Sequence, residues 1–432
     1  MTFCCRKIGM MRSTLFLCLC FSGFVCAVLP ADDGWVRRRG QYIELVTDLE
    51  SSQEADRLVA SFDAAVTQWV EFWQIDQFDL SSFRVSAFVM RDEGAFRQAG
   101  FIPPEVPDFN FGYAMGKKIW IKAQQSEYYT RHLALHEGVH AFMFAAFNGA
   151  GATWFQEGTA ECLALHRNFG RSIGINVMPL TREEVPYWGR FKRMEQLRNE
   201  SQVPTLKSVL GYKPNLLGDV GAYSWSWALV AMLDAYPEYR GDLLELGAKG
   251  FKRGPGFNRH FMMAFQSEWP ILLARWQMMC HDLDYGFEWE RERIEIGMND
   301  PLWRGQPLKV QVSADQGWQS AGVRVPGGVK MRLRPSGTVT LANTTRPWVS
   351  EPAGITLRYH RGRPMGQLLV CVLPNAPNDA EVYLSEPAVY PLTKEATLEI
   401  DSYSWLLFRV NESVGSLSDN QSAFEVNMEV SR

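Results

Sequence analysis

Past residue 26 the chain has almost no cysteine. Five of its eight cysteines (Cys4, Cys5, Cys18, Cys20 and Cys26) come early, leaving Cys162, Cys280 and Cys371 for the rest. That excludes a disulfide framework; at most one pair could form, and three buried thiols packing as small apolar groups is the expected arrangement. Charge of one sign is lacking too. With 44 Lys and Arg against 48 Asp and Glu, the net charge is −4, and no basic stripe offers a footprint for nucleic acid. There is no low-complexity tract. After the N-terminal segment no apolar run is long enough to span a membrane.

What the front of the chain does have is Arg6, Lys7 and Arg12 ahead of an apolar run from Leu15 to Leu29. The run is short for a span and its flanks are those of a secretory leader over residues 1–31, with Ala27 or Ala31 as the small residue for cleavage. A lipoprotein anchor on Cys26 and an uncleaved anchor are the alternatives. A secreted or periplasmic protein is therefore expected, with no stable membrane span once the leader is removed. The whole chain is 46% hydrophobic and 13% aromatic, and its length after the leader suits two or three domains with proper cores.

Histidine is scarce, seven in 432 residues, yet His136-Glu137-Gly138-Val139-His140 places two of them four apart. On one helix those imidazoles share a face and can reach a single metal ion, while Glu137, about 100° round the axis, can touch a water there without ligating. A catalytic zinc needs a third protein ligand and an open position. Glu157 is the candidate: the 16 residues after His140 suffice to finish a helix, turn through Asn148-Gly149-Ala150-Gly151 and start an antiparallel one. Glu161, one turn beyond, is placed to accept the second N–H of a ligating histidine, His136 by position. His132 extends the row; it is either a fourth ligand, which would close the site, or a solvated or hydrogen-bonded histidine one turn too far. Gly138 inside a helix costs about 1 kcal/mol relative to Ala, which close approach by another segment would explain.

These residues, with Trp154-Phe155-Gln156-Glu157-Gly158-Thr159-Ala160-Glu161, resemble the gluzincin metallopeptidases, and most closely the bacterial peptidase MA-like proteins. The resemblance runs from about Tyr42 to Asp282 and takes in Arg91-Asp92-Glu93-Gly94-Ala95-Phe96 and Tyr223-Ser224-Trp225-Ser226-Trp227-Ala228-Leu229. It implies an α+β zincin-like peptidase domain over residues 32–300, zinc held by His136, His140 and Glu157, Glu137 as general base, and a peptide or protein substrate. Tyr223 matches the family's tyrosine that donates to the oxyanion; the other reading is a core tyrosine on an aromatic helix. His166 and His260 are weaker candidates for that donor.

Coarse patterning gives strands at Tyr42–Thr47 and Phe83–Met90, then a hairpin of Phe111–Met115 and Lys118–Lys122 whose second strand is read as the edge for an extended substrate. Amphipathic helices follow at Arg182–Asn199, Val220–Tyr236 and Pro270–Asp282. Asn299-Asp300-Pro301, with Gly305 and Pro307, reads as a linker over residues 301–307. From 308 to 432, short alternating strands, among them Leu308–Val312, Lys330–Leu333, Leu368–Val372, Ala396–Ile400 and Trp405–Val410, indicate an antiparallel β-sandwich domain.

The end of that region, Phe408 to Asn420, with Gly317-Trp318 and Met365 to Leu369, is similar to the calcium-dependent galactose-binding lectins of bacteria. The resemblance implies calcium on Glu412, Asp419 and Asn420 with carbonyls of Ser413 and Ser416, hard oxygens of the kind calcium takes, and through it a glycan partner. Glu412 stands where that family has Asp, and the loop Thr338–Asn343 lacks its Tyr-Gly-Pro contact. Two functions compete: a secreted zinc hydrolase of the peptidase kind, or a carbohydrate-binding or surface-interaction protein with a structural zinc. Glu137 favours the first, because a closed structural site has no use for a base.

Overall fold

The computed structural model describes residues 34–149, 151–214, 219–249, 255–342, 345–375 and 387–431. The leader with its cleavage sites, Ala150 of the interhelical turn and Asn343 lie outside them. The first described layer is a five-stranded sheet. β1 (Val36–Arg39) pairs antiparallel with β2 (Ile43–Thr47). Helix α1 (Ser52–Trp73) crosses over to β3 (Val85–Met90), parallel to β2. Ser51 caps α1 by accepting from the Glu54 N–H at 3.2 Å, and Gln74 in the left-handed region ends it. After α2 (Glu93–Gln98) come β4 (Gly112–Met115) and β5 (Lys118–Lys122), a hairpin whose second strand runs parallel to β3.

The strand order is β1-β2-β3-β5-β4, so the edge is β4 rather than Lys118–Lys122 as the sequence suggested. The reason is in β5 itself. Ile119, Trp120 and Ile121 are all fully buried, apolar on both faces, which suits a strand with neighbours on both sides and cover above and below.

Helix α3 (Glu127–Phe147) lies on the face that Gly112 presents, and α4 (Thr153–Ala164) returns beside it. Between them Asn148, at φ 53°, ends α3, and Gly151, at φ +79°, leaves room for Phe257. Gly138 of α3 has the close neighbour its position calls for. A Cβ there would collide with Phe62 and meet Trp69 of α1 at 3.0 Å.

A short hairpin, β6 (His166–Arg167) with β7 (Gly174–Ile175), precedes α5 (Arg190–Asn199). This helix is shorter than the expected Arg182–Asn199, because Pro186 and the positive φ of Tyr187 (68°) and Gly189 (66°) break it at its start. Next come α6 (Leu206–Leu210), α7 (Val220–Ala235), α8 (Pro237–Ala248), α9 (Pro255–Ala264), α10 (Trp269–Asp282) and α11 (Trp289–Glu292). α7 packs on α4 where Gly158 leaves room for the Ser226 carbonyl, which a Cβ would strike.

The rest is antiparallel β: β8 (Leu308–Ser313), β9 (Gln319–Val325), β10 (Val329–Ser336), β11 (Val339–Leu341), β12 (Trp348–Ser350), β13 (Ile355–His360), β14 (Arg363–Met365), β15 (Leu368–Pro374), β16 (Ala388–Pro391), β17 (Ala396–Ile400), β18 (Ser404–Val410) and β19 (Ala423–Val430). Two four-stranded sheets, β17-β10-β19-β8 and β16-β15-β18-β9, share a core that includes Val312, Leu333, Val370, Phe408 and Val426. In the second sheet β18 is buried on both faces. Leu406 and Phe408 point into that core, whereas Trp405 and Leu407 join the large core of the helices. Arg409 bonds Glu292 through both terminal guanidinium nitrogens at 2.8 Å, and the Trp318 indole donates to Asp282 at 2.7 Å. Cys162, Cys280 and Cys371 are free and buried. Among the described residues no helix is long and apolar enough to cross a membrane.

Candidate metal centre

Antiparallel packing of α3 and α4 brings His136, His140 and Glu157 together. His136 Nε2 is 3.2 Å from His140 Nε2 and 3.3 Å from Glu157 Oε2, and His140 Nε2 is 3.5 Å from the same oxygen. Ligand atoms bound at about 2.0–2.2 Å to a tetrahedral zinc stand about 3.3–3.6 Å apart, so the donor triangle has the size and the N,N,O chemistry that zinc takes. The electrostatics ask for a cation. Burial works against a charged His136, but Glu157 and Glu161 outweigh it and hold its pKa well above the ordinary histidine value. Burial likewise opposes an ionised Glu157, yet His140 and His136 hold it down at about 2.

Glu161 lies behind the triangle, with Oε1 3.3 Å from His136 Nδ1. Its other partners come from elements the sequence gave no reason to connect. Arg190, at the start of α5, reaches Oε1 at 2.7 Å and Oε2 at 3.2 Å, and the Trp188 indole donates to Oε2 at 3.0 Å. His132 is fully buried, with Nε2 3.4 Å from Glu161 Oε2 and Nδ1 3.2 Å from the Ala164 carbonyl. It shares a carboxylate with His136 instead of joining the triangle, and it is not solvated. Burial raises the cost of charge on Glu161, but Arg190 and His132 hold its pKa well below the carboxylate range.

Glu137, on the same helix as the histidines, is buried with its carboxylate against β4. A Cβ on Gly112 would lie 2.5 Å from Glu137 Oε1. Burial raises its pKa, which His136 and His140 partly offset. Tyr223, on the first turn of α7, sits with its ring 6.1 Å from that of His136 and 5.8 Å from the Arg190 guanidinium. Its hydroxyl bonds no described residue. Burial, then Glu157 and Glu137, push its pKa up, so it stays a donor. His166 is held elsewhere, accepting from Arg131 Nε at 2.9 Å, and His260 pairs with the Gly256 carbonyl at 2.7 Å.

In the β region Glu412 and Asn420 meet, Asn420 Nδ2 donating to Glu412 Oε2 at 2.7 Å and to the Ala314 carbonyl at 3.0 Å. Asn420 Oδ1 is buried with no described partner. Asp419 is exposed and near enough to raise the Glu412 pKa.

No family model matches the chain, and no curated protein does. Among solved structures it is similar to the N-terminal domain of EclA, a PllA-like lectin, at 16% identity and a TM-score of 0.23 over 29% of this chain and 96% of that one. It is also similar to PliG of Aeromonas hydrophila, a periplasmic inhibitor of g-type lysozyme, at 8% identity and a TM-score of 0.17 over 32% of this chain and 99% of that one. At such scores neither likeness bears on function.

Proposed function

We propose that the protein is a secreted or periplasmic zinc-dependent hydrolase of the peptidase class, with a zincin-like arrangement in its α+β half. The observation that carries the reading is the triangle of His136 Nε2, His140 Nε2 and Glu157 Oε2 with a separate buried carboxylate, Glu137, beside it. His136, His140 and Glu157 would hold the ion and Glu161 would fix the His136 ring. When bound, zinc supplies Lewis acidity and makes water acidic enough to be deprotonated near neutral pH. Glu137 takes the proton of the attacking water and passes it to the leaving nitrogen. The Tyr223 hydroxyl donates to the oxyanion that develops on the carbonyl.

The substrate strand has a place to lie. The Lys122 N–H donates to the Phe111 carbonyl at 2.8 Å, and Gly112 is opposite Ile121, so the alternating ladder turns the N–H and C=O of Gly112 and Ala114 away from β5 to the open edge. An extended peptide adding there runs past Glu137.

The test uses the full chain loaded with zinc and a mixed peptide library, comparing wild type with Glu137→Gln. Cleavage by the wild type alone, with equal zinc in both, supports the reading. Zinc retained by a wild type that cuts nothing sinks it, leaving the structural-zinc alternative. For the β region, the unpartnered Asn420 Oδ1 beside the Glu412 carboxylate favours a calcium ion there. No observation extends that to a glycan.

A further inference from the structure

We propose that Gly112 is a positioning residue for the general base: its missing side chain is what allows β4 to lie flush against Glu137 and sets where the carboxylate stands. The inference rests on the hydrolase reading and adds to it a residue that neither ligates nor reacts. A Cβ at position 112 would fall 2.5 Å from Glu137 Oε1, 2.9 Å from its Cγ and 3.0 Å from its Cδ, all inside normal contact. Those are side-chain atoms of Glu137 and no backbone atom is among them, so a methyl group would push the carboxylate aside and leave the helix in place. Gly112 has a backbone conformation open to any residue, since its φ lies outside the left-handed region. Its glycine is therefore not required by the turn of the chain.

The same position carries the outward N–H and C=O of the edge, because it opposes Ile121 in the pair that is not hydrogen-bonded. Base and peptide-pairing groups are thus side by side on one residue. A substrate paired with Gly112 has the Glu137 carboxylate directly beneath it, with no side chain between. Tyr113, the next residue, points to the opposite face, its ring tilted against Trp120 at 6.4 Å between centroids, which anchors the strand without entering this space.

The experiment takes the full chain as wild type, Gly112→Ala, Glu137→Ala and the double variant, each loaded with zinc. Zinc affinity is read by competition with a chromophoric chelator, the Glu137 position by a crystal structure of zinc-loaded Gly112→Ala, and kcat and KM on a peptide the wild type cuts. The expected result is zinc affinity within ~2-fold of wild type, a displaced Glu137 carboxylate, and kcat down ~100-fold with KM little changed, the loss that misplacement by about 1 Å brings. In the Glu137→Ala background, which lacks the Cγ, Cδ and Oε1 that the methyl group would meet, Gly112→Ala should cost the residual kcat nothing further. An unmoved carboxylate, an unchanged kcat, losses that multiply in the double variant, or zinc affinity falling in step with kcat would each overturn the proposal. A wild type without turnover defeats the hydrolase reading alone, since the displacement is decided by crystallography.

Discussion

Arg190 grips both carboxylate oxygens of Glu161, at 2.7 and 3.2 Å, in a site where both residues are buried. A planar guanidinium matched to a carboxylate in this way fixes orientation as well as charge. Through Glu161 that orientation reaches His136 Nδ1, 3.3 Å away, and so the nitrogen on the other side of the ring that faces the candidate ion. Arg190→Ala would leave the Glu161 charge buried with only Trp188, His132 and His136 beside it. Breaking such a pair costs about 3–5 kcal/mol, and loss of a histidine's outer partner weakens metal affinity ~10–100-fold. Chemical denaturation of the zinc-free chain and chelator competition should read the two effects separately. Arg190→Lys, which keeps the charge without the fork, should recover stability better than affinity.

Tyr223→Phe removes a hydroxyl that bonds no described residue and sits beside His136. If that hydroxyl serves the oxyanion, kcat on a cleaved peptide falls by ~10²–10³ while KM and zinc content stay near wild type. A core tyrosine would give the reverse pattern, a change in thermal midpoint with kcat kept.

How much of this the sequence disclosed depends on the range of each relationship. His136 and His140 are legible because helical periodicity alone puts them on one face, with Glu137 about 100° round the axis, and Glu157 and Glu161 follow from one turn and one more helix. Arg190 and Trp188 are not legible, since they meet Glu161 only after the segment from His166 to Tyr187 has folded back. No local pattern marks that return. Strand order failed for a similar reason. Lys118–Lys122 reads as alternating at its charged ends, and only the burial of Ile119, Trp120 and Ile121 together reveals an interior strand. β19 (Ala423–Val430), central in its sheet, does alternate, with Phe424, Val426 and Met428 buried, and was open to detection.

Gly158 links the two motifs of the site to α7. A Cβ there would run into the Ser226 carbonyl, which is backbone and cannot swing away. Gly158→Ala should therefore push α7 outward, costing about 1–3 kcal/mol as overpacking does, and carry Tyr223 with it. Thermal unfolding measures the first effect. A fall in kcat larger than that of Tyr223→Phe would mean that the displaced helix disturbs Glu157 as well.

Glu412 offers a pH signature far from the zinc chemistry. Burial and the negative charge of Asp419 push its pKa up to about 7, against the help of Asn420 and Arg409. The folded chain therefore holds this proton more tightly than the unfolded chain does, and stability must fall as pH rises from about 4.5 to about 7. Above that window the full penalty applies; below it there is none. Glu412→Gln keeps an oxygen for Asn420 Nδ2 and removes the penalty, so it should raise the thermal midpoint at pH 8 and leave it unchanged at pH 4. Calcium on the Glu412 carboxylate and the Asn420 Oδ1 would relieve the same penalty by stabilising the charge. Adding calcium at pH 8 should then stabilise the wild type and leave Glu412→Gln unaffected; equal shifts in both proteins would place any bound calcium elsewhere.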